Sequence, residues 1–236
     1  MNPNAQSAIR DPQSSALEAV ELQTSSNPAG AVIWLHGLGA DGYDFVPVVR
    51  ELEALGAPAA RYVFPHAPMM PVTINGGYVM RAWYDILGAD LVRREDEAGI
   101  RASQQAVERL IAREVERGCA RSRIVLAGFS QGAAITLQTG LRQREPLAGL
   151  MALSGYLPLA EVFASERAPQ SAAIPIFMAH GVHDPVIPLA RATASRERLS
   201  ALGYAVEWHE YPMQHSVSAE ELGDIAAFLR TTLRRG

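Results

Sequence analysis

Residues 124–142 read IVLAGFSQGAAITLQTGLR. An apolar run of strand length leads into Gly128-Phe129-Ser130-Gln131-Gly132, and a run of helix-compatible residues follows from Gln131 to about Arg142. A glycine two before and two after a serine, between a buried strand and a helix, is the pattern of a tight turn that lifts the serine above a sheet. The glycines let neighbouring backbone approach closely. Glycine and serine frequencies alone would produce roughly 0.1 such pentapeptides in this chain, so the flanking strand and helix carry the inference. The alternative is an ordinary glycine-rich loop.

Outward from this turn, the chain alternates strand and helix. Leu17 to Leu22 alternates apolar and polar, as an edge strand does. Ala31 to Leu35, Ile124 to Ala127, Ala148 to Leu153 and Ile174 to Ala179 are continuous apolar runs, as strands buried on both faces are. Arg61 to Phe64 and Ala205 to Glu210 are further strands. Helices are expected over Phe45 to Leu55, Asp96 to Arg117, Ala190 to Leu202 and Ala219 to Leu233. Pro65 to Tyr84, with its prolines and Gly76-Gly77, reads as one long irregular segment. Alternating elements of this kind imply an α/β fold with a mostly parallel central sheet flanked by helices. Chemistry in such folds collects at the carboxyl ends of the strands.

A serine hydroxyl needs a general base, and the base needs an orienting acid. Six histidines are available. His209 lies inside a strand. His36 and His180 each end one, which suits packing or loop positioning, and His66 lies in the proline-rich segment. His215 follows the last strand and stands just before Ser218-Ala219-Glu220-Glu221, a capping box that opens the last helix. From there it can reach back toward Ser130, so it is the candidate base, against the alternative of an exposed loop histidine. The acid falls between serine and histidine in chain order. Asp184 suits it, in a loop stiffened by Pro185 and Pro188. His180, His183 and Asp184 could also be read as metal ligands, but nothing nearby completes a shell. The oxyanion of a tetrahedral intermediate needs donors. The candidates are the N–H groups of Gln131 and of Leu38, in the loop His36-Gly37-Leu38-Gly39-Ala40.

The composition bounds the rest. The chain has 236 residues, 48% of them hydrophobic, enough for one large core. Residues 1–16 read as a flexible arm and 17–236 as a single domain. The formal charge is −4, with all basic residues arginine and without clustering, so neither nucleic acid nor an anionic bilayer is an expected partner. The single cysteine, Cys119, excludes an intramolecular disulfide and reads as an inert thiol. No run is long and apolar enough to span a bilayer, and no secretory signal is visible, so a cytoplasmic protein without stable membrane insertion is expected. Nothing calls for a cofactor or a metal. Oligomeric state is not readable.

The motifs together resemble a known family. Leu35-His36-Gly37-Leu38-Gly39, Gly128 to Gly132, Ser154-Gly155-Tyr156-Leu157-Pro158 and His180-Gly181-x-x-Asp184-Pro185-Val186 resemble the bacterial carboxylesterase and acyl-protein thioesterase family. So do Asn75-Gly76-Gly77-Tyr78, Ala82 to Ile86 and Glu95 to Ile100. The resemblance runs from about residue 15 to the C-terminus. It implies an α/β-hydrolase fold without a large cap domain. It also implies a triad of Ser130, Asp184 and His215, with Leu38 and Gln131 at the oxyanion hole. Substrate would lie along Met69, Met70, Pro71, Val72, Thr73, Trp83 and Val186. Ala40-Asp41-Gly42 departs from many members, which carry Asp-Ser or Asp-Thr before the glycine.

The expected function is a serine carboxylesterase acting on short- to medium-chain esters through an acyl-enzyme. Alternatives on the same triad are an acyl-protein thioesterase or lysophospholipase, and a cofactor-free perhydrolase. A non-catalytic binding module is the reading from another class. The partner in the leading readings is a small ester or thioester.

Overall fold

The computed structural model describes residues 17–88 and 95–233. The arm expected at 1–16 and the last three residues of the expected domain lie outside the described residues.

Seven strands form one sheet: β1 (Ala19–Gln23), β2 (Gly30–Leu35), β3 (Ala60–Pro65), β6 (Ile124–Phe129), β7 (Gly149–Leu153), β8 (Ile176–Gly181) and β9 (Val206–Tyr211). Their spatial order is β1-β3-β2-β6-β7-β8-β9. Every pairing is parallel except β1 with β3. The helices are α1 (Val48–Ala54), α2 (Glu97–Glu116), α3 (Gln131–Gly140), α4 (Ala160–Glu166), α5 (Leu189–Ala201) and α6 (Ala219–Thr232).

Strand alternation splits the core into two layers. From β2, Ala31, Ile33 and Leu35 pack with Ile100, Val107 and Leu110 of α2 and Ile135 and Leu137 of α3. Val32 and Trp34 point the other way, toward Val49 and Leu52 of α1 and Ile225, Ala226 and Leu229 of α6. Both faces of the central strands are covered, which is why those strands are continuously apolar in sequence.

The connection from β2 runs outward to β3, and the chain then returns across β2 to β6. That reversal opens a crevice at the carboxyl ends of β2 and β6, the topological switch point of the sheet. The serine turn sits there.

Two segments depart from expectation. Pro65 to Tyr84 is not irregular throughout: β4 (Met69–Val72) pairs antiparallel with β5 (Tyr78–Arg81) in a separate hairpin. Its turn is a 3₁₀ turn at Thr73–Asn75 followed by Gly76 and Gly77, both with positive φ. Pro71 masks the strand in sequence, yet a two-stranded ribbon tolerates proline because each strand is an edge. Helix α4 was not expected; it is only seven residues long, with one buried residue, Phe163, so its periodicity is weak.

Candidate active site

Ser130 occupies the turn between β6 and α3 with φ 56° and ψ −117°, a left-handed-side conformation that costs energy for a residue with a Cβ. Close packing holds it there. A Cβ on Gly128 would overlap the backbone of Gly132, and one on Gly132 would overlap the carbonyl oxygens of Leu35 and His36. The Ser130 N–H donates to the Leu153 carbonyl of the neighbouring strand (2.8 Å).

His215 reaches the serine from the far side of the sheet. The ends of β8 and β9 pair His180 with Glu210 and Gly181 with Tyr211. Beyond them, Val182 N–H donates to the Tyr211 carbonyl and His183 N–H to the Met213 carbonyl, which laces the two loops together. A Cβ on Gly181 would overlap the Met213 and Gln214 carbonyls, so glycine permits this approach. The capping box is formed as expected: Ser218 Oγ accepts from Glu221 N–H and the Glu221 carboxylate from Ser218 N–H. It fixes where α6 begins and so where the His215 loop ends. The Phe129 ring packs against the imidazole at 4.8 Å between centroids.

The result is a continuous chain of side chains. His215 Nε2 lies 2.8 Å from Ser130 Oγ, and His215 Nδ1 lies 2.6 Å from Asp184 Oδ2. Asp184 Oδ1 accepts the N–H groups of Val186 (2.8 Å) and Ile187 (2.9 Å). One carboxylate oxygen is held by backbone; the other faces the His215 imidazole at 2.6 Å, with the buried His180 Nε2 also 3.3 Å from it. Such a chain can draw a proton from a hydroxyl while keeping the imidazole in one tautomer. The Asp184 side chain is fully buried, while Ser130 is 8% exposed and the His215 side chain 16%, so the chain is sealed at the acid and reaches the surface at its other end.

The Leu38 loop arrives beside the serine, and the position of a Cβ on Gly37 lies 3.4 Å from the Ser130 Cβ. Among the described residues, neither the Leu38 N–H nor the Gln131 N–H donates to another backbone group.

The other histidines have structural partners. Buried His36 donates from Nδ1 to its neighbour's carbonyl and accepts from Ala67 N–H at Nε2 (3.0 Å); burial pushes its pKa down. His180 is fully buried, donates from Nε2 to the Ile187 carbonyl (2.8 Å) beside the Asp184 carboxylate (3.3 Å), and burial pushes its pKa down. His66 Nδ1 accepts from Gly42 N–H (3.0 Å). His209 pairs with Glu207 and stacks on Phe177. His183 is exposed, and among the described residues no three His, Cys, Asp or Glu side chains cluster as metal ligands. Half-buried Cys119 lies before β6, at the end of the sheet away from Ser130, with its thiol pushed up by burial.

The expected substrate wall is not a single surface. Burial alternates along β4: Met69 and Pro71 are exposed, Met70 is half-buried and Val72 is fully buried, because successive side chains of a strand face opposite ways. Thr73 is exposed but tied to the Asp85 carboxylate through its N–H and hydroxyl. Val186 is 57% exposed beside Asp184. Trp83 is only 2% exposed. A cavity of about 520 Å³ lies between the hairpin and α2, with Met70, Trp83, Ala102 and Ala106 in its walls, and neither Ser130 nor His215 borders it. So Val72 and Trp83 do not form the open groove expected of them. Both are drawn inward by packing.

Two groupings escaped the sequence reading. Tyr84 and Tyr156 share a hydroxyl hydrogen bond (2.8 Å), and the Arg191 guanidinium lies 3.6 Å from the Tyr156 ring centre. The Gln131 side chain bonds the backbone at residues 83 and 84. A glutamine buried directly after the serine was the available signal for the second; nothing local announced the first.

A parallel sheet of this order, with a strained serine turn at its switch point, defines the α/β-hydrolase fold. The phospholipase/carboxylesterase family matches residues 17–233. Acyl-protein thioesterase 1 of Gibberella zeae is 40% identical over 220 residues, covering 89% of this chain and 93% of that one. The protein of the same name from Neurospora crassa is 42% identical over 214 residues, covering 86% of each. The crystal structure of acyl-protein thioesterase 2 from Zea mays superposes with a TM-score of 0.81 at 26% identity, covering 92% of this chain and 99% of that one. The chain belongs to the phospholipase/carboxylesterase family of α/β-hydrolases and is an enzyme of its esterase and thioesterase kind. The motif resemblance pointed to bacterial members; these curated relatives are fungal, so the family is shown without that qualifier. Among the described residues no helix is long and apolar enough to cross a membrane.

Proposed function

We propose that the protein is a serine hydrolase that cleaves acyl thioesters, and the corresponding carboxylic esters more slowly, with Ser130 as nucleophile, His215 as base and Asp184 as orienting acid. The observation that carries this is the Ser130–His215–Asp184 hydrogen-bond chain. The names of the relatives favour the thioester over the ester as preferred substrate.

His215 Nε2 takes the Ser130 proton as Oγ attacks the acyl carbon. The negative charge on the carbonyl oxygen is met by the N–H groups of Leu38 and Gln131. Collapse of the intermediate breaks the bond to sulfur or oxygen and leaves an acyl-serine. His215, now carrying the proton on Nε2, returns it to the leaving group. Water then repeats the sequence, giving up a proton to His215, and releases the carboxylate. The Asp184 carboxylate stabilises the imidazolium in both halves. A thiolate, whose conjugate acid has a pKa of about 8.5, leaves far more readily than an alkoxide, so proton return from His215 is less demanding for a thioester than for an ester. Met69, Met70 and Val186 offer apolar surface for the acyl chain.

The test is a hydrolysis panel of an S-acylated peptide, an aryl ester of the same acyl chain and a lysophospholipid, each with wild type and Ser130→Ala. The expected result is highest kcat/KM on the thioester and loss of about 10⁶ in kcat in Ser130→Ala. An intact S-acylated peptide beside a rapidly cleaved aryl ester makes the enzyme a carboxylesterase. A folded Ser130→Ala variant with a tenth of wild-type turnover overturns the triad.

A further inference from the structure

Three elements converge on Trp83. Its indole Nε1–H donates to the His36 carbonyl (2.9 Å), at the root of the loop that carries Leu38. Its backbone N–H donates to Oε1 of Gln131 (2.8 Å), whose Nε2 in turn donates to the Tyr84 carbonyl (2.7 Å). Its own carbonyl accepts from the Ser103 hydroxyl on α2. His36, Trp83 and Gln131 are all buried, so these bonds form away from water, where each is strong and costly to leave unmade.

The two strand ends joined by this arrangement belong to β2 and to the β6–α3 turn. Gly132 already brings them into backbone contact at the Leu35 and His36 carbonyls. The β2–β6 ladder ends at Leu35 and Gly128, so the loop from His36 onward lies beyond it and is held by separate bonds: Gly39 N–H to the Arg81 carbonyl (2.9 Å), Ala67 N–H to the His36 ring (3.0 Å) and the Trp83 indole to the His36 carbonyl. The indole pulls on the loop from one side, and the Gln131 amide holds the tryptophan backbone from the other. A donor pair split between two loops is only as good as the spacing between them, because an oxyanion is stabilised by donors already in place.

We propose that Trp83 is a positioning residue: through its indole N–H and its main chain it braces the Leu38 loop against the Gln131 turn and sets the separation of the two N–H groups that receive the oxyanion. This rests on the assignment of Leu38 and Gln131 under the proposed function. The hydrogen bonds of Trp83 run to His36, Gln131 and Ser103 rather than to Ser130 or His215, and the Gln131 carboxamide acts beside, not within, the donor formed by that residue's backbone.

The test uses the full-length enzyme. Trp83→Phe removes the indole N–H while keeping an aromatic ring, and Gln131→Met removes the carboxamide while keeping the backbone N–H. Each lowers kcat by about tenfold or more with KM within about twofold, since misplaced catalytic groups cost turnover rather than ground-state binding. Affinity for an acyl trifluoromethyl ketone, which forms a tetrahedral adduct on the serine, falls in proportion to kcat/KM. The double variant loses less than the product of the two single losses, because both break one brace. Thermal melts separate these effects from unfolding: where Trp83→Phe is not folded at the assay temperature, Gln131→Met alone decides. Unchanged kcat with raised KM would make Trp83 a substrate wall and overturn the proposal, as would kcat losses that multiply or a ketone affinity that does not move. Ser130→Ala runs beside them. If it stays active, the underlying triad has failed; if it is inactive while Trp83→Phe and Gln131→Met match wild type, only the brace has failed.

Discussion

Asp184 divides its carboxylate between two tasks: Oδ1 accepts the N–H groups of Val186 and Ile187, and Oδ2 lies 2.6 Å from Nδ1 of His215. The backbone bonds fix the direction of the carboxylate. The imidazole therefore meets an acceptor already aimed at it, with Pro185 and Pro188 restricting the loop that carries it.

Asp184→Asn tests this division. The asparagine oxygen keeps the two backbone donors, which turns the NH₂ group toward His215. Nδ1 must then accept, the proton moves to Nε2, and the imidazole loses its lone pair toward Ser130. The expected loss is up to about 10⁴ in kcat with the fold intact. Steady-state kinetics with circular dichroism read it, and turnover within tenfold of wild type would contradict the arrangement.

Gly132→Ala tests the close approach at the serine turn. Its Cβ would overlap the Leu35 and His36 carbonyls, which are backbone and cannot swing aside. Overpacking of this kind costs about 1–3 kcal/mol, and here it also pushes the serine turn away from β2. Gly223→Ala is the control, since nothing lies within 4 Å of its Cβ position on α6. That change should be neutral or stabilising by up to about 1 kcal/mol. Equal melting temperatures for the two variants would refute the steric account.

Glu221 predicts a pH dependence of stability. It is fully buried at the start of α6, and burial pushes its pKa up to about 8. Between the ordinary carboxylate range and pH 8 the folded protein holds a proton that the unfolded chain has released. Stability is therefore full at low pH and falls as pH rises through about 8. Glu221→Gln removes the titration, so its melting temperature should gain on wild type between pH 5 and pH 9. Parallel curves would show that Glu221 does not titrate in this window.

Met69→Ser and Val186→Ser test the acyl-binding surface. Each methylene against apolar surface contributes up to roughly 0.8 kcal/mol, about fourfold in kcat/KM. Wild type should therefore improve with acyl length until the surface ends. Met69 is 58% exposed and Val186 57%, so serine at either removes contact area without opening the core. A shallower dependence on chain length, with acetyl-ester turnover kept, is expected. Profiles parallel to wild type would place the acyl chain elsewhere.

Much of this protein is determined locally. The apolar runs of β2, β6, β7 and β8, the glycine-spaced turn around Ser130 and the capping box at Ser218 depend on residues a few positions apart. Periodicity and turn chemistry report these directly, and Ser130, Asp184 and His215 each stand in a short loop next to such an element, which made them candidates; that the three meet depends on the order of the strands. The tertiary structure alone decided the rest, because it rests on partners far apart in the chain. Hairpin β4–β5 became visible only when Pro71 met its edge partner Val79. His215 meets Ser130 across 85 positions because β7, β8 and β9 lie in sequence order beside β6. Trp83, expected in an open groove, is buried with its indole on the His36 carbonyl 47 positions away. A hydrogen bond between distant residues leaves no period in the sequence; the order of the strands in the sheet creates it.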